Sequence, residues 1–195
     1  MRVASRVVVL FLIGVLFYYL FGVLQGFRSG IFNDNFSQFV LSSSSGIPLC
    51  CGFLAVVCGL ASPLLYPNLR VPNAYEAEWT SIMRCVLFFV GISHATAKLN
   101  FVSNSQLLFT SLSFAIGIWW LFDRSAAGAA IGVLISLLGT TSCFLLGDQI
   151  IINSVDPLLS LWFPCIFFSG GITASLVGRQ LAKSDVLDSF KIKAE

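Results

Sequence analysis

Apolar residues run along this chain in long stretches separated by short polar connections. Six stretches approach the roughly 20 residues that a helix needs to cross a lipid bilayer. They lack the alternation of polar and apolar positions that marks barrel strands, and backbone amides in lipid must then pair within helices. The pattern predicts an all-α membrane protein, a bundle of six transmembrane helices at Val7–Leu24, Gly46–Tyr66, Ser81–Ala97, Leu107–Phe122, Ala126–Leu146 and Pro157–Val177.

The connections between these stretches are too short for a separate soluble domain. We therefore expect one transmembrane domain over residues 1–182, followed by a short cytosolic tail over residues 183–195. The basic start of the chain resembles a signal peptide, but no small-residue cleavage site follows the first apolar stretch. We expect that first helix to be retained.

Composition supports a lipid environment. Apolar residues form 57% of the 195-residue chain and charged residues only 10%, whereas a soluble domain carries about a quarter charged residues. The net charge of +2 is spread over the chain and gives no basic face for nucleic acid. A role in binding DNA or RNA is therefore excluded.

The basic residues predict the orientation. If both ends of the chain lie on one side, only Arg28 and Lys98 of the eleven lysines and arginines lie on the other. Since basic residues concentrate in cytosolic loops, both termini are expected in the cytosol. The segment Lys191–Glu195 then matches a Lys-x-Lys-x-x signal for return to the endoplasmic reticulum. The simpler alternative is a basic tail that only follows the charge rule.

The sequence offers no pattern for catalysis or metal binding. His94 is the single histidine, and no Cys-x-x-Cys pair or cluster of carboxylates occurs at membrane depth. We interpret the cysteines as packing residues and expect no metal, no cofactor and no enzymatic activity. The six cysteines are Cys50, Cys51, Cys58, Cys85, Cys143 and Cys165.

The fourth apolar stretch is short. Its sixteen residues span about 24 Å at 1.5 Å per residue, less than the core of about 27 Å in a thin reticulum membrane. We expect Ser105 and Gln106 to be drawn to the luminal edge of the lipid, with Thr110 on the same helical face as Gln106. These polar groups either join helices or bind the hydroxyl of a rigid lipid in an apolar slot.

The other end of this stretch carries paired tryptophans, Trp119 and Trp120, which are typical of a membrane interface. Asp123 follows the end of the helix, where the helix dipole disfavours an anion. It therefore either caps the next helix together with Ser125 or is a carboxylate offered to the helices of a partner protein.

Several long blocks of residues carry a family signature, and blocks of this length are more specific than a short motif. They are Pro48–Gly52, Glu78–Val86, Phe89–Lys98, Trp119–Ser125, Trp162–Thr173 and Gly178–Ala182. Through these blocks the chain resembles, across nearly its whole length, the INSIG (insulin-induced gene) family of endoplasmic-reticulum membrane proteins.

The resemblance implies an oxysterol-binding regulator, with a ligand such as 25-hydroxycholesterol. It implies sterol-dependent association with SCAP, the escort of the SREBP transcription factors, which retains the complex in the reticulum and reduces lipid synthesis. It also implies binding to HMG-CoA reductase and recruitment of membrane ubiquitin ligases that degrade it. By matching motifs, the resemblance assigns Phe89, Gln106 and Thr110 to the sterol site, Trp119 to it with weaker support, and Asp123 to SCAP binding.

Two departures from the family pattern stand out. Ala126 occupies a position where the family usually has arginine, and Asn100 one where relatives carry aspartate. A small membrane lipid transporter or lipid-modifying enzyme is the alternative function. The sequence leaves open the preferred sterol, the oligomeric state and any degradation or phosphorylation signals.

Overall fold

The computed structural model describes residues 3–28, 46–65, 79–98, 104–146 and 163–194. These residues form six α-helices, and a π-helical segment, Trp119–Asp123, that directly follows the fourth helix and is called the π turn below. The helices are α1 (Val3–Arg28), α2 (Gly46–Leu65), α3 (Trp79–Lys98), α4 (Asn104–Ile118), α5 (Ala126–Leu146) and α6 (Phe163–Ala194).

Each predicted span coincides with one of these helices, which confirms the all-α fold class, although residues 157–162 of the sixth span lie outside the described residues. Three segments of the described chain are long and apolar enough to cross a membrane: Gly46–Pro63, Ser105–Asp123 and Ala126–Cys143. A shorter apolar segment occupies Ala4–Leu20 in α1. Six crossings with cytosolic termini remain a prediction.

Helix α6 is the centre of the bundle, because it contacts all five other helices. Residues 171–178 are all buried, so this helix is enclosed on every side rather than along one stripe. The helix continues to Ala194 through most of the predicted tail. The boundary at residue 182 between domain and tail therefore falls within a continuous helix, and that division remains a prediction.

Helices α2 and α6 cross closely in the bundle core. A β-carbon on Gly178 would overlap the backbone of Gly59, so the two helices touch main chain to main chain. Nearby, the Ser62 hydroxyl donates a hydrogen bond of 3.1 Å to the Ser175 carbonyl. Since lipid gives little hydrophobic drive for association, such close packing and interhelical bonds hold membrane helices together.

The outward faces of the bundle are apolar, as a lipid-exposed surface requires. On α5 these exposed side chains include Leu134, Leu137 and Leu138, while hydroxyls bond to their own helix, as Thr140 does to the Ser136 carbonyl. The small residue Gly132 on the opposite face lies against Phe168 of α6. Gly128 and Gly132 are four residues apart, a spacing that allows close approach of helices, and Gly132 uses it within this chain. All six cysteines are free thiols.

Candidate functional site

The π turn redirects the chain where α4 ends. The Arg124 amide donates to the Trp119 carbonyl, five residues earlier, at 2.7 Å, and Arg124 has a left-handed backbone with φ of 47°. A non-glycine residue rarely adopts this conformation, so surrounding contacts must hold it. Helical segments of this width occur frequently at functional sites.

Asp123, the last residue of the π turn, points into the bundle. Its side chain is only 1% exposed, and its Oδ1 atom accepts a hydrogen bond of 2.6 Å from Nη2 of Arg179 on α6. Its Oδ2 atom accepts a second bond of 3.1 Å from the Ser125 hydroxyl. A buried carboxylate requires such compensation, because an unpaired charge in a low-dielectric interior is strongly unfavourable.

Ser125 begins α5 as its N-terminal cap. Its hydroxyl oxygen accepts a bond of 2.9 Å from the Gly128 amide, which is otherwise unpaired in the first helical turn. Asp123 contributes by accepting the Ser125 hydroxyl proton rather than by binding the helix directly. The predicted sharing of the cap by Asp123 and Ser125 therefore takes this indirect form.

The two tryptophans of the π turn lie in different environments. Trp119 is half-buried, and its Nε1 donates to the Ser125 carbonyl at 2.9 Å, which ties the start of the turn to the start of α5. Trp120 is exposed, and the Arg124 guanidinium lies 4.6 Å from the centre of its ring. Such an aromatic and cationic pair suits a membrane–water interface.

An open apolar groove of about 510 Å³ lies between α3 and the π turn. Two of its lining residues, Phe88 and Phe122, form a tilted ring pair with centroids 6.1 Å apart. A β-carbon on Gly91 would meet nothing within 4 Å, so the groove extends over the bare backbone at that position. Its lining residues are Arg84, Leu87, Phe88, Gly91, Ile92, Ala95 and Phe122.

The sequence-predicted sterol residues are not among those that line the groove. Phe89 is 5% exposed and packs inside the bundle, with its ring 5.1 Å from that of Phe17 in α1. Gln106 is exposed in the first turn of α4, and Thr110 is half-buried one turn later. Trp119 is the first residue of the π turn. The assignment of these four residues to a sterol site stays a prediction, as does the role of Asp123 in binding SCAP.

A profile of the family described as Insulin-induced protein (INSIG) matches residues 5–182. This chain belongs to the INSIG family. Among individual relatives, the Insulin-induced gene 1 protein of Danio rerio is 42% identical over 181 residues, covering 91% of this chain and 72% of the relative.

Two further INSIG relatives match at similar levels. The Insulin-induced gene 1 protein of Homo sapiens is 40% identical over 189 residues, which cover 93% of this chain and 67% of the relative. The Insulin-induced gene 2 protein of Gallus gallus is 41% identical over 186 residues, which cover 93% of this chain and 83% of the relative. The resemblance inferred from the sequence blocks is thereby confirmed.

Sequence reasoning about this INSIG chain missed Arg179 and Gly128. Arg179 contributed only to the count of cytosolic charges, although a buried Asp123 near the same membrane edge required a cation. By its spacing from Gly132, Gly128 is typical of a small-residue helix face, whereas a β-carbon there would overlap the Asp123 carboxylate. The π turn itself left no signal in the apolar pattern.

Proposed function

We propose that this chain is a sterol-responsive regulator of the endoplasmic-reticulum membrane. It binds an oxysterol such as 25-hydroxycholesterol and then associates with SCAP, which retains the SCAP–SREBP complex in the reticulum. With sterol bound it also promotes degradation of HMG-CoA reductase through membrane ubiquitin ligases. The outcome is negative feedback on sterol synthesis, without catalysis by the chain itself. Membership of the INSIG family supports the proposal, and the groove beside the π turn is the observation that carries it.

The groove has the chemistry of a site for a rigid apolar lipid. Its volume falls within the range of about 300–1,000 Å³ that is usual for small-molecule sites, and its lining is almost entirely apolar. Because the groove is shallow and largely open, a sterol seated in it keeps much of its surface uncovered. In our proposal a transmembrane helix of SCAP covers that surface.

This open geometry supports a sterol-dependent association. A ligand that contacts both proteins stabilises their complex, and thermodynamic linkage requires that SCAP tighten sterol binding by the same factor. A coupling of about 1–3 kcal/mol corresponds to a change of roughly 5-fold to 150-fold in affinity. No large rearrangement of the helices is needed, since the ligand itself completes the contact surface.

The polar contact to the sterol is proposed at Gln106, with Thr110 beside it, because an amide both donates and accepts hydrogen bonds. These residues lie in the first two turns of α4, whereas Phe122 marks the other end of that helical segment. Phe89 supports α3 from inside the bundle, behind the face that carries Phe88 and Gly91. In this proposal Trp119 acts through the shape of the π turn.

The test is co-purification of SCAP with the tagged chain from reticulum membranes, with and without 25-hydroxycholesterol. We expect sterol to raise SCAP recovery at least fivefold, at the lower end of the coupling given above. Equal recovery under both conditions would contradict the proposal. Lipid flux or lipid turnover in liposomes that contain only this chain would instead favour the transporter or enzyme.

A further inference from the structure

We propose that Arg179 is a positioning residue that acts through Asp123. In this proposal the Arg179–Asp123 ion pair fixes the π turn, and the π turn sets the shape of the groove at Phe122. The consequence for partner binding rests on the proposed function. The positioning itself rests on the contacts around the ion pair.

The first step concerns where the Asp123 carboxylate points. Both of its oxygen atoms are engaged within the chain, one by Arg179 and the other by Ser125. The side chain is 1% exposed, so this conformation does not present the carboxylate to another protein. Any influence of Asp123 on a partner must then pass through the shape of the turn.

The second step concerns what fixes Arg179. Its neighbour Gly178 lies against the backbone of Gly59, at the close crossing of α2 and α6. One turn earlier, the Ser175 carbonyl accepts a hydrogen bond from the Ser62 hydroxyl. Arg179 therefore extends from a part of α6 that is packed closely against α2, so the backbone from which its guanidinium reaches the π turn is held in place.

The third step connects the ion pair to the groove. Phe122 immediately precedes Asp123, and its ring lines the groove in contact with Phe88. A shift of Asp123 away from Arg179 displaces the backbone of the π turn and hence the Phe122 ring. The groove end is thus coupled to α6, which does not line the groove itself.

The fourth step concerns the asymmetry of the pair. The Arg179 side chain is 20% exposed and can reach water without its partner, whereas the Asp123 carboxylate cannot. Removing the arginine leaves a buried anion without this counter-ion, while removing both charges leaves no buried anion. Arg179→Gln should therefore be more harmful than Asp123→Asn, and the double variant should recover.

Hydrogen–deuterium exchange of the full chain in lipid nanodiscs tests this directly. In Arg179→Gln we expect amides of residues 119–129 to exchange at least about tenfold faster than in the wild type, because the turn opens to hydrate the anion. Asp123→Asn and the double variant Asp123→Asn/Arg179→Gln should remain within about threefold of the wild type. Peptides from α2 provide the internal control and should not change.

Unchanged exchange in Arg179→Gln would overturn the proposal. So would a double variant that exchanges as fast as Arg179→Gln, because that result would mean Arg179 acts by packing and not through the carboxylate. SCAP recovery with 25-hydroxycholesterol is measured on the same variants and should follow the same order. If the wild type itself recovers no SCAP, the proposed function is wrong, while the exchange data still decide the role of Arg179.

Discussion

Gly128 lies so close to Asp123 that a β-carbon on residue 128 would overlap the carboxylate. The Gly128 amide also donates to the Ser125 hydroxyl, which in turn donates to Asp123. The start of α5 and the buried anion are therefore packed as one unit. This contact explains why a residue with no side chain occupies the third position of the helix.

Gly128→Ala should displace Asp123 from Arg179, since the overlapping atom is a carboxylate held on both sides. We expect a loss of about 1–3 kcal/mol of stability, the usual range for overpacking a filled site. Thermal unfolding of the detergent-solubilised protein measures it. Gly117→Ala is the matched control, because a β-carbon there meets nothing within 4 Å. Equal stability of the two variants would contradict the packing described around Asp123.

Gly178→Ala should separate α2 from α6. The added methyl group meets the Gly59 backbone, which cannot rotate away as a side chain can. We expect a lower unfolding midpoint by several degrees, as for a loss of about 1–3 kcal/mol. In Gly170→Ala on the same helix the new β-carbon makes an ordinary contact of 3.6 Å with Phe89, so that variant should keep the wild-type midpoint. An unchanged unfolding midpoint in Gly178→Ala would contradict the close crossing of α2 and α6.

Gly91→Leu should fill the groove and reduce both 25-hydroxycholesterol binding and sterol-dependent SCAP recovery by at least about tenfold. Folding should be preserved, because the new side chain enters open space and leucine favours a helix more than glycine does. Gly117→Leu makes the same change at an open position outside the groove lining and should bind normally. Normal binding by Gly91→Leu would exclude the groove as the sterol site.

Gln106→Ala tests the polar contact. Gln106 is exposed on the surface of the bundle, so its replacement should change the free energy of unfolding by no more than about 0.5 kcal/mol. Loss of one ligand hydrogen bond should weaken 25-hydroxycholesterol binding by roughly 3-fold to 10-fold. The measurement is radiolabelled sterol binding to the solubilised protein. Full affinity in this variant would remove Gln106 from the site while leaving the groove prediction standing.

Phe89→Ala should act mainly on stability. Its ring is buried against Phe17, and truncating a buried phenylalanine costs about 3–5 kcal/mol. Phe109→Ala, on the lipid-facing side of α4 where the ring is 67% exposed, is the matched control and should unfold near the wild-type midpoint. If Phe89→Ala instead keeps its stability and loses sterol binding, Phe89 contacts the ligand and the core assignment is wrong.

The apolar pattern alone was sufficient to predict the helices. A backbone in lipid must pair its amides within helices, so the uninterrupted apolar runs predicted five of the six described helices to within about four residues at their described ends. The sixth helix continues to Ala194, well beyond its predicted end at Val177, because its last part is polar and gives no apolar signal. The family could be identified from long blocks of residues. Asp123 could be singled out as a candidate functional residue, because placing a carboxylate next to an apolar run costs free energy unless it has a partner or a function.

Only the tertiary structure decided what Asp123 does. Its partner Arg179 lies 56 residues away, and no local periodicity relates the two positions. Likewise, Phe88 and Phe89 are neighbours with the same side chain, yet one lines the outer groove and the other fills the core. In a membrane helix both faces are apolar, so the sequence determines that a helix forms, while the packing of the other helices determines which face is inside.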